Sequence, residues 1–110
     1  MSSWKVLESK VSAFVAAGTV TITNSGSNKL RVPGLVINMA SPASGVITVS
    51  KKVGTISYPV HVETLNSATL AVITEQELGM ISIGRDESLT IVSGISAIAG
   101  NVLYNIEVSM

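Results

Sequence analysis

The chain contains no cysteine. Disulfides and thiolate metal sites are therefore excluded as sources of stability. Charge is scarce: seven basic and seven acidic residues cancel across 110 positions. A soluble domain usually carries about 25% charged residues. This chain carries 13%, beside 46% hydrophobic residues. No basic cluster is present beyond Lys51-Lys52, which suits a solvated turn, so no nucleic-acid partner is expected. The four aromatics are Trp4, Phe14, Tyr58 and Tyr104, few for a sugar-binding or base-stacking platform. No apolar run approaches the roughly 20 residues needed to span a bilayer, so no membrane partner is expected. Residues 1–10 mix Lys5, Glu8 and Lys10 with apolar residues and lack the charged-then-apolar order of a secretory leader.

The residues that are abundant favour sheet. There are 15 Val, 11 Ile and 9 Thr, β-branched and stiff at χ1. Sixteen Ser and nine Gly supply turns and solvent faces. One domain is expected for this length. A domain of this size covers only about 65% of its potential surface by folding. With so few charges, the remaining surface is expected to be covered by other copies or other proteins.

Residues 3–17 carry the one helical signal. Trp4, Leu7, Val11 and Phe14 recur at spacings of three and four, an apolar stripe down one helix face. Ser2 or Ser3 suits an N-cap and Gly18 a C′ position. Val6, Val11 and Val15 oppose this, and Val11, Ala13 and Val15 also alternate as a strand would. Residues 1–17 are thus expected to form a helix or a docking arm, with Trp4, Leu7, Val11 and Phe14 as its interface.

Residues 18–110 are expected to form a single antiparallel β domain. Short alternating runs recur about every 10 residues with turn residues between them, the pattern of a sandwich, jelly roll or barrel. Ser41–Gly45 reads as a loop. Gly54–Tyr58 and Val60–Thr64 read as one strand interrupted by Pro59, which fits only an edge or a bulge. Met80–Ile83 and Ser88–Ile91, joined by Gly84–Glu87, read as a hairpin. In the last strand Val102, Tyr104, Ile106 and Val108 share one face. Leu35–Ala40 and Ile95–Gly100 are so apolar that they read either as doubly buried segments or as subunit interface.

No catalytic set emerges, and the protein is read as a non-enzyme. His61 and Glu63 share a strand face, which suits a metal or acid–base pair; the competing reading is a solvated face. Zinc wants three or four ligands, so no metal and no cofactor is expected. Glu75-Gln76-Glu77 and Asp86-Glu87 lack calcium-loop spacing and read as acidic turns. No nucleophile elbow or phosphate loop is present.

The opening Met1-Ser2-Ser3-Trp4-Lys5 looks like a docking segment, and the stretches Ser88–Ile95 and Val102–Val108 close the chain as Ser/Thr/Val-rich sheet. In these features the chain resembles small structural virion proteins of tailed bacteriophages: capsid decoration (cement) proteins and head-fibre or tail components. The resemblance implies a β-sandwich that assembles as a homo-oligomer, a trimer or ring, on other virion proteins such as the major capsid protein. It implies location in the virion. The alternative is a carbohydrate- or ligand-binding β-sandwich module, for which Trp4, Tyr58 and Tyr104 would be the contact residues.

Overall fold

A computed structural model describes residues 4–15, 18–24, 29–95 and 99–109. The described residues are strands and turns, with no helix among them. The strands are β1 (Trp4–Val15), β2 (Thr19–Thr23), β3 (Leu30–Arg31), β4 (Gly34–Val53), β5 (Ile56–Thr74), β6 (Ser82–Ile83), β7 (Glu87–Ser93) and β8 (Ala99–Ser109). The mainly β, antiparallel class read from the composition is the class observed.

The organising element is the β4–β5 hairpin. Val53 pairs with Ile56 across the two-residue turn Gly54-Thr55, and pairing runs back to Gly34 opposite Thr74. Gly54 has φ 63°, which the first position of such a tight turn requires and a side chain resists. The first half of β4 pairs with β8, through Leu35 opposite Tyr104 to Met39 opposite Gly100. The second half pairs with β7, through Ile47 opposite Ser93 to Val53 opposite Glu87. One strand therefore belongs to two layers. The first layer runs β1-β8-β4-β5, with β3 and β6 extending it beyond Pro33. The second runs β2-β7-β4-β5. Between them the β4–β5 register shifts on either side of Ala43, where the sheet turns over. Residues 41–45 are thus a bulged corner inside a strand rather than the expected loop.

The two inner faces close one core. Leu35, Ile37, Ile73 and Val102 come from the first layer and Ile47, Val49, Leu89 and Ile91 from the second, all fully buried. Alternation along each strand delivers them there. In β8, Val102 and Tyr104 are buried while Asn101 and Leu103 are exposed, as the alternation predicts. Pro59 lies on the free edge strand at a register shift, the edge-and-bulge placement expected for it.

Two further expectations fail. Residues 4–15 are a strand, not a helix, paired along β8 from Trp4 opposite Ser109 to Val15 opposite Ala99. Ladder pairing combined with the β-branched Val6, Val11 and Val15 outweighs the helical spacing. The hairpin read over Met80–Ile91 is not one either. β6 pairs with β3 in the first layer, whereas β7 pairs with β2 and β4 in the second. Gly84–Glu87 is a corner between layers, because Ile83 and Leu89 must both reach the same core from opposite sides. Asn24 secures that corner: its backbone exchanges hydrogen bonds with Asp86 and Glu87, and its buried side chain donates to the Ile83 carbonyl at 2.8 Å.

Candidate functional site

The outward faces of the two layers differ in chemistry. On the second layer the register brings Thr21 and Thr90 side by side, with buried Ser50 beyond them, and next to them Thr23, Ser88 and Lys52. The Thr23 and Ser88 hydroxyls lie 3.1 Å apart. Val46, Val62 and Val92 are exposed on this face as well and interrupt its hydroxyl-bearing positions.

On the first layer the register builds an apolar row. Val11 lies opposite Leu103, Leu103 opposite Val36, and Val36 opposite Val72. Directly opposed pairs on one face are in side-chain reach, so four strands contribute to one strip. Val11 is 68% exposed, Leu103 42%, Val72 52%, and Leu70 in the next row 52%. Val36 is half-buried at the centre. Beside it a shallow hollow of about 420 Å³ is lined by Pro33, Gly34, Val36, Val72 and Leu103 among others. At Gly34 a Cβ would meet the Ile73 carbonyl at 3.2 Å. Large side chains held in a contiguous exposed row carry a standing cost in water.

This strip lies partly where the sequence placed an interface and partly elsewhere. Of Trp4, Leu7, Val11 and Phe14, the side chain of Val11 is described and lies in the strip; those of Trp4, Leu7 and Phe14 lie outside the described residues. A spacing of three and four marks one face of a helix, whereas along a strand only residues of equal parity share a face, so the four no longer define one surface by their spacing. Leu35–Ala40 is not doubly buried: Leu35, Ile37 and Met39 face the core, and Val36 faces out into the strip. Leu103, Val72 and Leu70 were not singled out from the sequence. Their signal was available as an apolar residue at an outward position, but only the register shows that they adjoin.

A second cluster sits at the free edge of the other layer. His61 and Glu63 lie opposite Val49 and Ile47, both core residues, while Val62 between them is exposed. The polar pair therefore takes the core-side register of its strand and is part-buried there. The side chain of His61 is 17% exposed. Its Nε2 is 2.8 Å from Glu63 Oε1 and 3.7 Å from Oε2 of Glu77, which the β5–β6 turn brings over the strand. Glu77 is held in place by Thr74, whose backbone N–H and hydroxyl both donate to Glu77 Oε1 at 3.0 and 3.1 Å. Those two donors hold its carboxyl below the usual carboxylate range. The neighbouring Glu75 faces away and forms a forked pair with the Arg31 guanidinium, which lowers its pKa. Glu87 accepts from the Gly84 N–H at 2.6 Å and lies 3.2 Å from Lys51 Nζ, and its pKa is lowered for those reasons in that order.

Of the aromatic residues weighed for glycan contact, Tyr104 is buried and Tyr58 is exposed; the Trp4 side chain lies outside the described residues. No helix among the described residues is long and apolar enough to cross a membrane.

No protein-family model matches the chain, and no curated protein does. Among solved structures it is similar to the Drosophila NLP core, whose crystal structure "provides insight into pentamer formation and histone binding". The two superpose with a TM-score of 0.53 at 9% sequence identity, over 88% of this chain and 95% of that one. At that identity the likeness is one of fold.

Proposed function

We propose that this protein is a non-catalytic structural protein that assembles with copies of itself into a closed ring. The observation that carries this reading is the exposed row Val11–Leu103–Val36–Val72. Its occupant is a second copy of the chain. A neutral, apolar strip offers nothing to attract a charged partner, and the low overall charge favours self-association. A ring buries the same strip on every copy. The Drosophila NLP core, of similar fold, is described in terms of pentamer formation, which supports a ring as the form of assembly. Histone binding is not carried over, since this chain has no net charge with which to hold a basic partner. The setting we propose is the virion of a tailed phage, with the ring seated on the major capsid protein as a decoration protein. The Ser/Thr/Val-rich composition supports that setting.

Light scattering coupled to size exclusion tests the assembly. The expected mass is a discrete multiple of 11.4 kDa that persists on dilution. Leu103→Lys and Val72→Glu are expected to release monomers that remain folded. Thr21→Lys, on the hydroxyl face, is expected to leave the mass unchanged. A wild-type mass of 11.4 kDa at every concentration overturns the reading. Finding the protein at a fixed copy number in purified phage particles checks the virion setting separately.

A further inference from the structure

The cluster at the free edge of β5 is unusual for its position. Core-side register on a strand calls for apolar residues. Here β5 places an imidazole and a carboxylate there and turns Val62 out to solvent. A local break in patterning of this kind is expected where a site outweighs packing. The β5–β6 turn then adds a second carboxylate, aimed at the same imidazole nitrogen.

We propose that His61, Glu63 and Glu77 form a binding site for one zinc-class divalent cation per chain. Each of the three offers one ligand atom, all within 4.8 Å of one another, and His61 Nε2 faces both Glu63 Oε1 and Glu77 Oε2. Zinc bonds of about 2.0–2.1 Å at tetrahedral angles separate ligand atoms by roughly 3.3 Å. His61 Nε2 and Glu77 Oε2 are 3.7 Å apart, and His61 Nε2 and Glu63 Oε1 are 2.8 Å apart. Shifts of about half an ångström therefore bring both pairs to ligand spacing. Two features favour binding over a chance cluster. The ligands come from two segments whose relative position is set by the Glu77–Thr74 hydrogen bonds. Those bonds occupy Oε1 of Glu77 and leave Oε2 directed at the imidazole. The ligand set selects the cation: one imidazole with two carboxylates suits zinc and its first-row neighbours, whereas calcium takes six to eight oxygens. Solvent completes the fourth position. A bound ion would tie the β5–β6 turn to the edge strand and cap the core where the two layers open.

The test titrates the metal-stripped, full-length protein with zinc chloride, read by calorimetry and by thermal unfolding. The expected result is one equivalent per chain and an unfolding midpoint that rises with free zinc. His61→Ala should abolish that binding. Glu77→Gln, in an exposed turn, should weaken it at least tenfold while the apo protein keeps its sheet circular dichroism and a cooperative unfolding transition. Calcium chloride at the same concentration should neither bind there nor displace zinc. If His61→Ala fails to fold, Glu77→Gln decides the question alone. No saturable binding, or wild-type affinity in Glu77→Gln, overturns the proposal. Neither outcome bears on self-assembly, because the strip on the first layer shares no residue with this cluster.

Discussion

At the residue scale, the carboxylates separate into tethered and free groups. Glu87 accepts from the Gly84 N–H and pairs with Lys51, while the adjacent Asp86 is 83% exposed. The Glu87 pKa is lowered in the folded protein, mainly by the Gly84 hydrogen bond. A carboxylate lowered on folding contributes stability that is present above its unfolded value, about 4.3, and lost as pH falls through the folded one. The expected outcome is that Glu87→Gln is less stable than wild type near neutrality and that the gap narrows as pH falls below about 4. Urea unfolding midpoints measured across that range check it, and a gap independent of pH would contradict it. The acidic turns were visible in the sequence, but their division of labour was not. Glu75, Glu77 and Glu87 meet Arg31, His61 and Lys51 only through contacts between residues 16 to 44 positions apart. Nor did composition distinguish Asn24, one of many polar residues in a turn-rich segment, as the buried group that secures a corner.

At the scale of elements, strand content and alternation were legible, and partners were not. The run Val102–Val108 read correctly because one buried and one exposed face give a clean period of two. Residues 4–15 misled because helix and strand periods both fit so short a stretch. Only pairing with β8 decides between them. Met80–Ile91 misled because a polar turn between two alternating runs does not reveal whether the runs stay in one layer. The hairpin that does organise the fold turns at Gly54, and its sequence signal was a lone glycine after two lysines. Gly54 sits at φ 63° with nothing near its missing Cβ, so conformation rather than space forbids a side chain. Gly54→Val is expected to cost about 1–2 kcal/mol, and Gly54→Asn clearly less, since Asn visits the left-handed region more readily. Denaturant unfolding of the two variants checks the order; equal losses would mean that the turn relaxes to another type.

At the scale of the whole molecule, the two outer faces show what the low charge accomplishes. Sparse charge is not spread evenly thin. The second layer intersperses exposed Val46, Val62 and Val92 with threonine and serine hydroxyls, whereas the first gathers Val11, Leu103, Val36 and Val72 into one contiguous row beside Leu70. Composition alone predicted a surface in need of cover but could not say which one. The β4–β5 hairpin has a kinetic consequence as well. It is the one long pairing closed by a two-residue loop, whereas β1 and β8 bring together residues nearly a hundred positions apart. Loop-closure entropy falls hardest on the latter pair and slows folding of sheet topologies generally. Mutational φ-values are therefore expected to be high beside Gly54 and near zero at Val102. Nucleation at the middle of the chain would leave the β8 part of the assembling strip among the last surfaces formed, so a half-folded chain would have little with which to bind its neighbours.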